Sequence, residues 1–158
     1  EGIFNPQYPF GAKLNKKRIG AIPIGQSHSL NKINIVLQNL LNVPYKWGGK
    51  TSLGFDCSGL VQSVLSVYGI KIPRDSKNQW RYLEPYKINI DEAKKGDLHF
   101  FGKKGKVSHV GFACGGYDFI HSQGYVKKES LDENDSNFNK SLLDIYLSSA
   151  SIRLKFKK

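Results

Sequence analysis

The sequence predicts an α+β fold, with N-terminal helices packed on a central antiparallel β-sheet. Three observations predict it. Apolar residues recur every three to four positions in two stretches of the first half, the period becomes two beyond Asp97, and glycines or prolines mark the joints. The chain has 158 residues, of which 39% are hydrophobic and 12% aromatic, so one domain with its own core is expected. No apolar run approaches the roughly 18–20 residues of a membrane helix.

Residues 1–29 carry Pro6, Pro9, Pro23 and four glycines with little periodicity, and read as a lead-in or the remnant of a preceding module. They lack the apolar stretch of a signal peptide. With no methionine anywhere, the chain reads as a processed or trimmed form. The rest, 30–158, is expected to be one catalytic domain. Ser29 to Leu41 reads as a helix on Ile33, Val36, Leu37, Leu40 and Leu41, with Ser29 or Asn31 as cap and Pro44 as stop. A glycine-rich loop runs from Pro44 to Phe55. Cys57 to Tyr68 reads as a second helix on Leu60, Val61, Val64, Leu65 and Tyr68, stopped by Gly69. Ser76 to Tyr82 reads as a short third helix.

Strands are expected at Asp97–Phe101, Val107–Ala113 and Tyr117–His121, with turns at 102–106 and 114–116. Asp132 to Asn139 is a polar loop without the glycine and glutamate placement of a calcium loop. Ile145–Leu147 and Ile152–Phe156 are expected to be closing strands. No internal repeat is present.

Lys and Arg number 24 against 13 acids, a net charge of +11. Such charge suits an anionic partner: nucleic acid, membrane surface or acidic polymer. The balance is +6 over residues 1–50, +1 over 51–100 and +4 over 101–158. No aromatic ladder interleaves with the lysines and no nucleic-acid-binding motif is present, so nucleic acid ranks last. Two cysteines rule out a disulfide scaffold.

Cys57 stands at the predicted start of a helix, in Phe55-Asp56-Cys57-Ser58-Gly59-Leu60. Unpaired N–H groups and the helix dipole favour a thiolate there, so a lowered pKa is expected. The competing reading is a small buried hydrophobe. A nucleophilic cysteine needs a base, and His109 breaks the apolar alternation of Val107-Ser108-His109-Val110-Gly111-Phe112. A three-residue turn at 114–116 would set His109 opposite His121; a two-residue turn would put them on opposite faces. The pattern is nucleophile, base and orienting group. A zinc site from the same three lacks tight ligand spacing. Gly49-Lys50-Thr51 is not a phosphate loop, because Pro44 stands where its first glycine belongs. His99 reads as structural, His28 as exposed and Cys114 as a packed turn residue.

The ordered runs Pro44-Tyr45-Lys46-Trp47-Gly48-Gly49, Phe55-Asp56-Cys57-Ser58-Gly59-Leu60-Val61-Gln62, Pro73-Arg74-Asp75-Ser76 with Gln79, Gly96-Asp97-Leu98, Ser108-His109-Val110-Gly111 and Ile120-His121 resemble the NlpC/P60 cysteine peptidases. The resemblance spans about residues 30–156. It implies a papain-like fold and hydrolysis of bacterial cell-wall peptides, usually at the γ-D-glutamyl–diamino acid bond. By it, Cys57 is the nucleophile, His109 the base, His121 the orienting residue and Tyr45 an oxyanion donor. Trp47, Asp56, Ser58, Asp75 and Ser76 would line the substrate pocket, with Asp56 holding a free N-terminal amine. Arg74 reads equally as a structural ion pair.

No cofactor or metal is implied, and the expected partners are peptidoglycan or muropeptides, an anionic wall polymer against the basic surface, no nucleic acid and no second subunit. A secreted, periplasmic or wall-associated place is expected, with cytoplasmic peptide recycling open. Three rival readings remain: another amidase or transacylase of this fold, a wall-binding module without turnover, and a nucleic-acid binder motivated by charge alone.

Overall fold

The computed structural model of the chain describes residues 30–156. The lead-in with its basic run Lys16-Lys17-Arg18, His28 and the cap assigned to Ser29 lie outside the described residues.

Helix α1 (Ile33–Asn39) buries Ile33, Val36 and Leu37, as the spacing requires. Its N-cap position is Lys32, which makes no side-chain capping bond. A small hairpin, β1 (Lys50–Thr51) and β2 (Gly54–Phe55), leads into α2 (Cys57–Val67). Asp56 caps α2 from extended backbone, and its carboxylate accepts the Gly59 N–H at 2.6 Å. Leu60, Val61, Val64 and Leu65 are fully buried along one stripe. Truncating one such leucine to alanine costs about 2–5 kcal/mol. Gly59 is there for space: a Cβ would run into the Gly49 carbonyl oxygen. Gly69, at φ +74°, ends the helix. Helix α3 (Ser76–Leu83) follows, one residue longer than the sequence reading.

A six-stranded sheet completes the fold. Its strands are β3 (Lys87–Ile88), β4 (Leu98–Lys103), β5 (Lys106–Gly115), β6 (Asp118–Gln123), β7 (Tyr125–Ser130) and β8 (Tyr146–Ala150), in the order β3-β8-β4-β5-β6-β7 with every pair antiparallel. Leu98, Phe100, Val110, Phe112 and Ile120 join the helices in the main core, while Phe101 and Phe119 belong to a second cluster with Leu131 and Leu142. The split follows the alternation of side chains along a strand.

Two expectations are corrected. Ile152–Phe156 is not a closing strand: Ile152–Lys155 is a short helix, α5, capped by the Ser151 hydroxyl accepting from the Leu154 N–H at 3.2 Å. Helical spacing keeps Ile152 and Phe156 on one inward side and leaves Leu154 50% exposed, whereas a strand would turn all three the same way. The β5–β6 hairpin also differs from its expected three-residue turn. Gly115 pairs with Asp118 across the two-residue tip Gly116-Tyr117, and the register then shifts so that Ala113 faces Phe119 and Phe112 faces Ile120. The bulge at Cys114 restores what the shorter turn would have reversed. His109 and His121 stay on one face but are displaced along the strands. Strand β7 and a short helix, α4 (Lys140–Leu143), were not foreseen.

Candidate active site

Cys57 opens α2 and faces a cleft of about 530 Å³, which His109 lines from β5. The N–H groups of Ser58, Val110 and Cys57 itself act on the sulfur and favour its charged form. Burial outweighs them, the Asp56 carboxylate adds to it, and the thiol pKa lies above its ordinary value. The lowered pKa expected from the helix terminus is therefore corrected: in the closed cleft, desolvation exceeds the dipole.

His109 is held below its ordinary pKa, at about 3, chiefly by burial. Both directions favour a neutral thiol and a neutral imidazole over a resting thiolate–imidazolium pair. His109 Nε2 lies 2.7 Å from His121 Nδ1, with the rings nearly perpendicular at 84°. His121 is fully buried behind His109, packed at 4.9 Å against the Phe119 ring, and its pKa is pushed down by burial. Gly111 makes room for it: a Cβ at that position would sit 3.0 Å from the His121 Cβ and from Phe119.

The other wall is built from the loop before α2 and the start of α3. Tyr45 and Trp47 flank the cleft, with Trp47 87% exposed. Burial, then the neighbouring Cys57 and Asp56, raise the Tyr45 pKa, so its hydroxyl remains a donor. The Asp56 carboxylate accepts from Gly59 N–H at 2.6 Å and Gly48 N–H at 2.9 Å. Both of its oxygens also take the Arg74 guanidinium, which lies 3.0 Å from Ser58 Oγ as well. Although burial opposes it, these donors hold the Asp56 pKa below the usual carboxylate range. Asp75 stands at the N-cap of α3 without a side-chain capping bond, and with Ser76 it lines the same cleft.

The cleft thus gathers Tyr45, Trp47, Asp56, Cys57, Ser58, Asp75, Ser76 and His109, with His121 behind. Sequence reasoning missed Glu129, whose Oε2 lies 2.9 Å from His121 Nε2. It sits on β7, whose two hydrophobic residues, Tyr125 and Val126, are adjacent and so show no alternation. Cys114 is away from this cleft, half-buried, and burial pushes its pKa to about 11. Among the described residues, no group of three His, Cys, Asp or Glu side chains forms a metal cage.

The sequence and the fold both match known proteins. A model of the NlpC/P60 family matches residues 42–145. A gamma-D-glutamyl-L-lysine dipeptidyl-peptidase of Bacillus subtilis is 34% identical over 147 residues, covering 89% of this chain and 48% of that protein. The crystal structure of an NlpC/P60 family protein from Bacillus cereus superposes with a TM-score of 0.70 at 28% identity, over 83% of this chain and 41% of that one. The NlpC/p60 domain of the peptidoglycan hydrolase SagA superposes with a TM-score of 0.64 at 31% identity, over 79% of this chain and all of that domain. The chain spans about half the length, or less, of the two Bacillus relatives.

Proposed function

The chain belongs to the NlpC/P60 family of cell-wall peptidases, and from that premise we propose that it is a cysteine endopeptidase hydrolysing the γ-D-glutamyl–diamino acid bond of peptidoglycan stem peptides. The observation that carries the reading is one cleft holding a helix-tip cysteine and a half-buried histidine, one of whose ring nitrogens is already engaged by His121. The name of the Bacillus subtilis relative supports the bond type.

Cys57 is the nucleophile and His109 its base. Because the resting pair is neutral, His109 takes the thiol proton as sulfur attacks the γ-glutamyl carbonyl. The oxyanion is met by N–H groups at the α2 terminus and by the Tyr45 hydroxyl; one such donor contributes about 3 kcal/mol. Collapse of the adduct breaks the C–N bond, and His109 returns the proton to the leaving amine. Water, deprotonated by His109, then hydrolyses the thioester, releasing the glutamyl carboxylate and the thiol. His121 orients His109.

Trp47, Ser58, Asp75 and Ser76 bind the substrate. Asp56 already takes two backbone donors and Arg74, so its task is to fix the loop before Cys57. Asp75 is the open carboxylate for a free N-terminal amine. Exposed Lys103 and Lys104 at the β4–β5 turn contribute to a surface suited to an anionic wall polymer.

The test is mass spectrometry of products from defined muropeptides, with and without a free L-Ala amine. The expected cut lies between γ-D-Glu and the diamino acid, and Cys57→Ala abolishes it with the fold intact. Turnover retained in Cys57→Ala, or cleavage elsewhere in the wall, overturns the reading.

A further inference from the structure

A half-buried carboxylate lies behind the proposed triad. Glu129 is on β7, two residues beyond Lys127, which pairs with His121 in the ladder. Its Oε2 receives two contacts, 2.9 Å from His121 Nε2 and 2.7 Å from Asn139 Nδ2, while Oε1 lies 2.8 Å from Lys127 Nζ. The Glu129 side chain is only 16% exposed. Asn139 is not free to turn its amide: its Oδ1 caps α4 by accepting the Leu142 N–H at 3.0 Å, so its NH₂ is the group that reaches Glu129. Glu129 is thus held from three sides.

A carboxylate only accepts hydrogen bonds, and three donors outweigh burial to bring the Glu129 pKa to about 2. His121 must therefore place its proton on Nε2. A neutral imidazole has one N–H, so His121 Nδ1 is bare and accepts from His109 Nε2–H. That uses the proton of His109, and Nδ1 is left bare as the nitrogen available to the cleft. We propose that Glu129 is the positioning residue that fixes this whole chain of tautomers, and so makes His109 a base toward Cys57. The inference rests on the Cys57–His109 reading above. Without an acceptor at Nε2, His121 carries its proton on Nδ1 and donates to His109 Nε2. His109 then has Nδ1–H toward Cys57 and has no lone pair there to take the thiol proton. The charged and titratable groups that act on the two rings are Glu129 and Lys127 from β7, and His121 acts on His109; Asn139 is neutral.

The experiment compares Glu129→Leu and Glu129→Gln, each alone and with Lys127→Met to remove the cation left unpaired. Long-range ¹H–¹⁵N spectra read the tautomers of His109 and His121, and the rate of Cys57 alkylation by iodoacetamide across pH reads the base without any peptide. Glu129→Leu is expected to move the His121 proton to Nδ1. Alkylation near neutral pH, and cleavage of a defined muropeptide, should fall roughly 10- to 1,000-fold. Glu129→Gln keeps an amide oxygen as acceptor, so it should keep the tautomers and most of the rate. The lost negative charge should move its acid limb to lower pH. Wild-type tautomers and alkylation in a folded Glu129→Leu overturn the proposal. Should Glu129→Leu not fold, a Glu129→Gln protein with an unmoved acid limb overturns it as well. If the wild-type chain alkylates at Cys57 and cleaves no muropeptide, the substrate reading fails and the tautomer spectra still decide the role of Glu129.

Discussion

Two histidine networks hang from the same sheet, and they differ in one nitrogen. His99 on β4 is fully buried; its Nε2 lies 3.0 Å from the Gly116 carbonyl and its Nδ1 2.7 Å from Ser149 Oγ. The carbonyl only accepts, so Nε2 carries the proton and Nδ1 accepts from the serine. Tyr146 in turn approaches that serine at 2.7 Å, closing the network. His109 on β5 has one nitrogen on His121 and the other turned to the cleft. Burial keeps both neutral, at about 4 for His99 and about 3 for His109. A low pKa therefore does not mark the candidate base. The mark is a half-buried imidazole whose hydrogen bonding is left half complete beside a thiol.

The strongest way to break this comparison is to remove each ring. His109→Ala should lower kcat/KM by about 10⁴-fold, as losing a general base from a triad does. Its unfolding free energy should fall by about 1–2 kcal/mol, for the buried His121 Nδ1 left without its donor, and by less than in His99→Ala because the ring borders the cleft. His99→Ala should do the reverse. It opens a cavity, leaves the Gly116 carbonyl without its His99 donor and leaves Ser149 Oγ with Tyr146 alone, costing about 3 kcal/mol by denaturant titration. The protein that remains folded should retain activity within about threefold. Similar activity losses in both, measured where both are folded, would erase the distinction.

The half-complete network was legible in the sequence because motif and periodicity agree there. Asp56-Cys57-Ser58-Gly59 combines a capping residue with a helical stripe, and His109 interrupts an apolar strand. Its back half was not legible. Glu129 lies on an edge strand of sequence Tyr125-Val126-Lys127-Lys128-Glu129-Ser130, where lysines that blunt the edge hide the alternation. Asn139 comes from a loop read as merely solvated, yet it caps α4 and holds Glu129. The His109–His121 register was missed because a bulge at Cys114 has no local signature once Gly115 and Gly116 already suggest a turn. The thiol pKa was misjudged for a similar reason. Helix position is read from local sequence, but desolvation depends on β5 closing over the sulfur.

Gly111 sharpens the comparison, since it pairs with His99 on one side and packs under His121 on the other. A methyl group there meets His121 and Phe119, not His99. Gly111→Ala should therefore cost about 1–3 kcal/mol of stability by overpacking and lower kcat about tenfold through a displaced His121. A far-UV and thermal signature like that of His99→Ala, with kcat unchanged, would place the strain in the sealed network.

The smallest effect is proton uptake, which the two histidines share. In the unfolded chain a histidine binds its proton near pH 6.5, whereas folded His99 does so only near 4. Between those values the unfolded state holds more protons, so stability rises with pH and is lost as pH falls through the window. His99 alone should account for about 1 kcal/mol of loss between pH ~7 and ~5.5. Replacing it by asparagine removes that share, so the stability gap between parent and His99→Asn should narrow as pH falls, measured by urea unfolding at each pH. His109 has the same sign of linkage, and His109→Asn should narrow its gap in parallel. Two narrowing gaps beside a single loss of activity would show that the rings share a burial physics and differ in what their free nitrogen meets. A gap that stays constant with pH in His99→Asn would mean that His99 takes up its proton in the folded protein near its ordinary pKa, and that its network opens as easily as the cleft does.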